Sequence, residues 1–307
     1  MKEINPNAIC ASEAPHLSLQ NREERPLRGV KLFFLIMFLM GQLAGNPVQT
    51  PDRLVLTYNK QLVRVFEYRD SLEGVHPFIK NLYPIAIAEQ GFFYVFDLDS
   101  TATKYRIMAH EEIEMKIPKG IRAAFPLQFY DNKCAWVASG DVFDSPEGYV
   151  VIFHEFVHSH QYVEPGLCEN LPLAIKSATT GDFMWEINYP FPYHDKWFVA
   201  TYTAFRDALE ENNHERATEL RQELASLLKD HDYQYMVWQE WKEGFALSLE
   251  NKMRHHLNLP HNHVGRSAPF NRTVFYAGGS AYISYLSRQE PELLTDPESL
   301  FYAMYND

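Results

Sequence analysis

The stretch Tyr149-Val-Val-Ile-Phe-His154-Glu155-Phe-Val-His158-Ser-His160-Gln161 decides how the rest of the chain is read. Asp144 and Ser145 can cap a helix there, Pro146 and Glu147 suit its first turn, and Pro165-Gly166 end it. On that helix His154 and His158 stand four residues apart, so both imidazoles leave one face toward a single point, as a tetrahedral metal requires. Glu155 lies one residue round from that face, where it reaches a water at the metal rather than the metal itself. The flanking Val150, Val151, Ile152, Phe153, Phe156 and Val157 predict deep burial. Two histidines and a glutamate are expensive in such a place unless paired or metallated.

The pattern is HExxH, in which the glutamate is the general base of metallopeptidases. Two histidines do not complete a zinc site, and a third protein ligand is required. Glu164 falls where the extended HExxHxxGxxH pattern has its third ligand, but Gln161 replaces the glycine that lets such a chain turn. His160 points away from the metal face and reads as an outer-layer or surface residue. The better candidates lie in Met236-Val-Trp-Gln-Glu240-Trp241-Lys-Glu243-Gly244-Phe245-Ala246-Leu-Ser-Leu-Glu250, where Glu240, Glu243 and Glu250 share a similar helical face.

Within it, Trp241-Lys-Glu243-Gly244-Phe245-Ala246 resembles the W-x-N-E-G-F-A segment of aminopeptidase N-type gluzincins, whose glutamate is the third zinc ligand. Farther on, Val274-Phe-Tyr276-Ala-Gly-Gly is similar to that family's V-x-Y-x-K-G segment, whose tyrosine donates to the tetrahedral oxyanion. The resemblance covers about a tenth of the chain, all in its second half. It implies Zn²⁺ held by His154, His158 and Glu243, with Glu155 as base and Tyr276 as oxyanion donor. It also implies a zincin-like catalytic domain, with a small mixed sheet whose edge strand runs beside the HExxH helix. The strand near Cys134 to Ala138 would be that edge, offering backbone groups to an extended peptide.

The departures are specific. Between His158 and Glu243 lie 84 residues, a far longer spacer than the family's. The family's asparagine before the ligand is Lys242 here, and its lysine after the oxyanion tyrosine is Gly278. No G-x-M-E-N segment precedes the HExxH helix, and since that segment binds a free amino terminus, aminopeptidase activity is not carried over. The expected activity is zinc-dependent hydrolysis of peptide bonds in a peptide or protein substrate. A zinc hydrolase of a non-peptide amide or ester is the alternative within enzymes, and a catalytically silent metal-containing binding or cell-envelope protein the alternative outside them.

Around these motifs the chain reads as α+β. Helical patterning near 59 to 82 precedes β-rich runs at 91 to 97, 127 to 130 and 134 to 138, the last two flanking an Asp131-Asn132 turn. Helical runs follow at 197 to 211, 215 to 229 and 233 to 257, and Thr295-Asp-Pro-Glu298 reads as a capping box for a last helix. The His-dense Arg254 to His263 suits a helix end plus loop rather than a second metal site, and Asn271-Arg-Thr273 is a glycosylation sequon.

The chain has 307 residues, 46% of them hydrophobic, enough for a substantial core. With 28 basic and 40 acidic side chains its net charge is −12, and no basic block is present, which argues against a nucleic-acid partner. Residues 32 to 45 (LFFLIMFLMGQLAG) follow Arg25, Arg28 and Lys31 and fit the apolar part of a secretory signal or a membrane anchor. The expected organisation is a polar extension at 1 to 29, a leader at 30 to 45 and one catalytic domain at 46 to 307, exported or held at the cell envelope. Loss of the leader removes Cys10 and leaves Cys134 and Cys168, which pair in an oxidising compartment or stay as two core thiols.

Overall fold

The computed structural model describes residues 51–113, 119–163, 173–175 and 184–306. The leader, Cys10, Glu164, the Pro165-Gly166 stop and Cys168 lie outside them. Helix α1 (Pro51–Leu72) buries Leu54, Tyr58, Leu62, Val65 and Leu72, a spacing that keeps one face on the core. It ends before Gly74 and Pro77, so the helical pattern at 59 to 82 is a helix that stops at Leu72 plus a 3₁₀ turn at Pro77–Lys80.

Five strands follow: β1 (Ile85–Glu89), β2 (Phe92–Leu98), β3 (Tyr105–Glu112), β4 (Arg122–Leu127) and β5 (Lys133–Ser139). They form one mixed sheet in the order β3-β2-β1-β5-β4. The β1/β5 pair is parallel, with Ile85 opposite Trp136, and the others are antiparallel. The expected Asp131-Asn132 turn is present, with both residues left-handed at φ 51° and 55°. The strand before it is Arg122–Leu127, because Gln128–Tyr130 winds into a 3₁₀ turn that Asn132 N–H closes onto Leu127 C=O. Cys134 to Ala138 is therefore not an edge: β5 is interior, paired on both sides, and β4 is the edge on that flank.

Helix α2 (Pro146–Val163) carries the HExxH stretch, and the Gly148 N–H is capped by Ser145 Oγ at 3.2 Å. Its Tyr149, Val150, Phe153 and Phe156 join α1, β1, β2 and β5 in one apolar cluster, so α1 and α2 cover the same face of the sheet. Val157 of α2 belongs instead to the second and larger cluster, built by the helical half. That half comprises α3 (Trp185–Asn188), α4 (Lys196–Glu210), α5 (His214–Leu227), α6 (Asp230–His256), α7 (Val274–Gln289) and α8 (Pro297–Asn306). The cap of α8 is Asp296, whose Oδ1 accepts from Ser299 N–H at 3.0 Å. Thr295 instead donates to Glu292 C=O, so the capping signal acts one residue later than the box predicts.

Every residue of α6 from Tyr235 to Glu250 is buried, which makes it the axis of the helical half. It meets α7 at a glycine contact: a Cβ on Gly244 would stand 2.5 Å from Gly279 Cα, and one on Gly279 would stand 2.2 Å from Glu240 C=O. Only glycine at both positions lets the two backbones approach this closely. That contact brings the faces bearing Glu243 and Tyr276 together. Among the described residues no helix is long and apolar enough to cross a membrane.

Candidate metal centre

Helices α2 and α6 run antiparallel across the site, with His158 opposite Glu243 and His154 opposite Glu250. His154 and His158 meet edge to face one turn apart, ring centroids 5.1 Å from each other. His158 Nδ1 donates to Gln161 Oε1 at 3.0 Å, and Gln161 Nε2 reaches Lys242 C=O at 3.3 Å. Gln161, the residue that departs from the extended motif's glycine, thus fixes the tautomer of His158 and leaves Nε2 as its free lone pair. That Nε2 faces Glu243 Oε2 at 3.3 Å, and neither atom makes a hydrogen bond.

His154 is held from behind. Its Nδ1 lies 2.9 Å from Glu250 Oε2. Burial opposes a charge on His154, but Glu250, with Glu155 and Glu243 adding to it, pushes the ring up to about 9. Glu250 is clamped in turn: Arg254 Nε donates to its Oε1 at 2.7 Å and Asn262 Nδ2 at 3.1 Å. Burial works against its charged form, yet His154 and Arg254 hold its carboxyl down at about 2.

The ligand atoms of His154, His158 and Glu243 all lie within 4.8 Å of one another, and all three residues are buried. Among the described residues this is the metal-capable cluster of His, Cys, Asp and Glu side chains. Bonds of 2.0–2.1 Å at tetrahedral angles place neighbouring ligand atoms about 3.3 Å apart. The Nε2–Oε2 separation is 3.3 Å. Two buried acceptor atoms at that distance, facing each other with no donor between them, are costly as they stand and satisfied by a cation. The residues fit a divalent metal.

Burial opposes the charge on Glu243, but the positive groups around it, His158 when it carries a second proton and then Arg272 and Lys242, hold its carboxyl well below the usual carboxylate range. Arg272 Nη1 sits 3.1 Å from Glu243 Oε1 and Lys242 Nζ 3.8 Å from the same oxygen. Arg272 also donates to Gln239 Oε1 at 3.1 Å. Gln239 Nε2 and Lys242 Nζ meet on Glu186 Oε2 at 2.9 and 2.7 Å. Glu186 comes from α3, within the long spacer between His158 and Glu243. Lys242, where the resembled family has asparagine, is therefore neutralised by a carboxylate that the spacer supplies.

Glu155 is buried at 2% exposure, and its charge acts on His154. Tyr276, in the first turn of α7, is buried with a hydroxyl that makes no hydrogen bond. Burial raises its phenol well above 10, with Arg272 opposing and Glu243 reinforcing the shift. All five residues singled out in the sequence thus belong to one buried neighbourhood.

The rival ligands are accounted for otherwise. Glu240 turns away from the cluster, accepting from Tyr202 Oη at 2.7 Å and Arg221 Nη1 at 2.7 Å. Glu250 contacts His154 from outside the cluster. His160 is not a surface residue: it is buried, its Nδ1 is 2.8 Å from Tyr83 Oη and its ring packs 4.1 Å from that of Phe78. Arg272, Glu186, Gln239 and Asn262 were not legible as site residues. Arg272 lay unread inside the sequon, and the only hint of Glu186 was that a lysine on a buried face needs a counter-charge.

No protein-family model, no curated protein and no solved structure matches the chain.

Proposed function

We propose that the chain is a zinc-dependent peptidase with a zincin-like catalytic domain, akin to the gluzincins that its Glu243 and Tyr276 segments resemble. The supporting observation is the convergence of His154 and His158 with Glu243, which 84 residues separate from His158 in sequence, at a separation that suits zinc. When bound, zinc supplies a Lewis acid that acidifies a water to a pKa near 7 and polarises a carbonyl.

Glu155 takes the proton of the attacking water and later returns it to the leaving amine, the double role of a general base that becomes a general acid. Tyr276 donates its hydroxyl to the oxygen on which charge develops; removal of one such donor costs about 3 kcal/mol of barrier in other acyl-transfer sites. A phenol that stays protonated throughout the working pH range suits this task. Gln161 and Glu250 keep the two imidazoles in register. The edge strand β4, beside α2, offers backbone groups to an extended peptide. With the apolar run at 32 to 45 read as a leader, the activity belongs outside the cytoplasm or at the cell envelope.

The deciding experiment replaces Glu155 by Gln and follows hydrolysis of a peptide panel with and without a chelator, alongside zinc stoichiometry. Loss of hydrolysis with zinc retained is expected. Hydrolysis that survives Glu155→Gln, or that survives complete removal of zinc, overturns the mechanism.

A further inference from the structure

We propose that Arg272 is a positioning residue that restricts Glu243 to one ligating oxygen, an inference that rests on the metal-centre reading above. The two oxygens of Glu243 live in different surroundings. Oε1 receives Arg272 Nη1 at 3.1 Å, whereas Oε2 has no hydrogen bond and faces His158 Nε2 at 3.3 Å. A carboxylate that engages a metal through both oxygens fills a coordination position that a catalytic zinc site must keep open. Arg272 holds the second oxygen away.

Lys242 does not duplicate this role. Its ammonium stands 3.8 Å from Oε1, beyond hydrogen-bond reach, and is committed to Glu186 at 2.7 Å. Arg272 has a rigid, planar fork, and the same Nη1 that meets Glu243 also meets Gln239. Gln239 is tied to Glu186, and Glu186 to Lys242, so the guanidinium closes a ring of buried polar groups around Oε1. Its carbon also lies 5.4 Å from the ring centroid of Tyr276, one turn along. One side chain therefore sets both the ligand oxygen and the wall against which the oxyanion donor rests. Without Arg272, Oε1 would be a buried acceptor with no donor closer than the Lys242 ammonium at 3.8 Å, and it would be free to turn toward a bound metal.

The test uses the full chain with cobalt in place of zinc, because the visible absorption of Co²⁺ reports coordination number directly. Wild type is expected to give the intense bands of a four-coordinate site. Arg272→Met is expected to lose that intensity as Glu243 turns both oxygens inward, and Arg272→Lys to recover part of it. Chelator competition is expected to show zinc affinity changed by roughly tenfold to a hundredfold in Arg272→Met, the range for outer partners of metal ligands. Should Arg272→Met not fold, Arg272→Gln, which keeps a donor but not the fork, carries the same readout. A cobalt spectrum identical to wild type in a folded variant overturns the proposal, whatever its affinity. A wild-type chain that binds neither zinc nor cobalt overturns the metal reading instead.

Discussion

Glu250 Oε2 lies 2.9 Å from His154 Nδ1, so the residue seven positions beyond Glu243 stands against a proposed ligand and outside the His154, His158 and Glu243 cluster. Two helical turns separate Glu243 from Glu250, and one separates His158 from His154, so the antiparallel helices set Glu243, the proposed ligand, against His158 and Glu250 against His154. Glu243→Ala is therefore expected to abolish stoichiometric zinc binding. Glu250→Ala is expected to keep the stoichiometry at saturation but weaken affinity by about tenfold to a hundredfold. Chelator competition separates the two, and equal losses in both variants would refute the division of roles.

Tyr276→Phe removes a buried hydroxyl that makes no well-formed hydrogen bond, although Glu243 lies near enough to raise its pKa. Stability should therefore hold or rise slightly, since an unsatisfied polar group leaves the core. If the hydroxyl serves the developing oxyanion, kcat should fall about 10²–10³-fold while zinc affinity stays within twofold of wild type. Unchanged kcat with unchanged zinc would reduce Tyr276 to a packing residue.

Glu240 shares the helical face that made it a rival ligand, yet it forms a fully buried pair with Arg221, which also donates to Met304 C=O in α8. Removing one partner of such a pair strands the other charge, at a cost of about 3–5 kcal/mol. Glu240→Ala is expected to lose that much stability by chemical denaturation without a change in zinc stoichiometry. A variant that is stable but metal-free would restore Glu240 as a ligand.

The legibility of these residues follows from the range of their interactions. The HExxH helix and its Ser145 cap are local, so spacing along the chain was enough to place His154, Glu155 and His158. The α+β class was legible in the same way, from helical and alternating periods. Strands β1 and β3 were not: β1 is only five residues long, and β3 lies at an edge with only Tyr105 buried and shows no apolar alternation. The edge identity of β4 depends on a parallel β1/β5 pairing between strands far apart in sequence, which no local pattern encodes. Which of three glutamates faces the histidines depends on the rotation of α6, set by the Gly244/Gly279 contact and by the Arg221 and Arg254 pairs. The choice of Glu243 rests on its segment's resemblance to known enzymes, since helical spacing alone leaves Glu240 and Glu250 open; the structure groups Glu243 with His154 and His158.

His76 supplies a pH signature away from the metal. It joins the first half of the chain to the last: its Nδ1 accepts from Phe78 N–H at 3.2 Å, and its Nε2 donates to Leu294 C=O at 3.0 Å. Both nitrogens are used in the neutral ring, so a second proton would displace the Phe78 contact. Burial, reinforced by Lys252 and only partly offset by Leu294, lowers its pKa from 6.5 to about 4. The unfolded chain therefore binds this proton first as pH falls. The stability that neutral His76 contributes is complete above pH 6.5 and is lost between 6.5 and about 4, at no more than about 1.4 kcal/mol per pH unit. His76→Asn keeps a neutral acceptor for Phe78 while removing the titration. It is expected to be less stable than wild type at pH 7 by about 1 kcal/mol, for the lost Leu294 bond, and to show a shallower fall across that window. Denaturant unfolding at intervals from pH 7 to pH 4 gives both slopes; parallel curves would mean that the ring accepts its proton without disturbing the turn it caps.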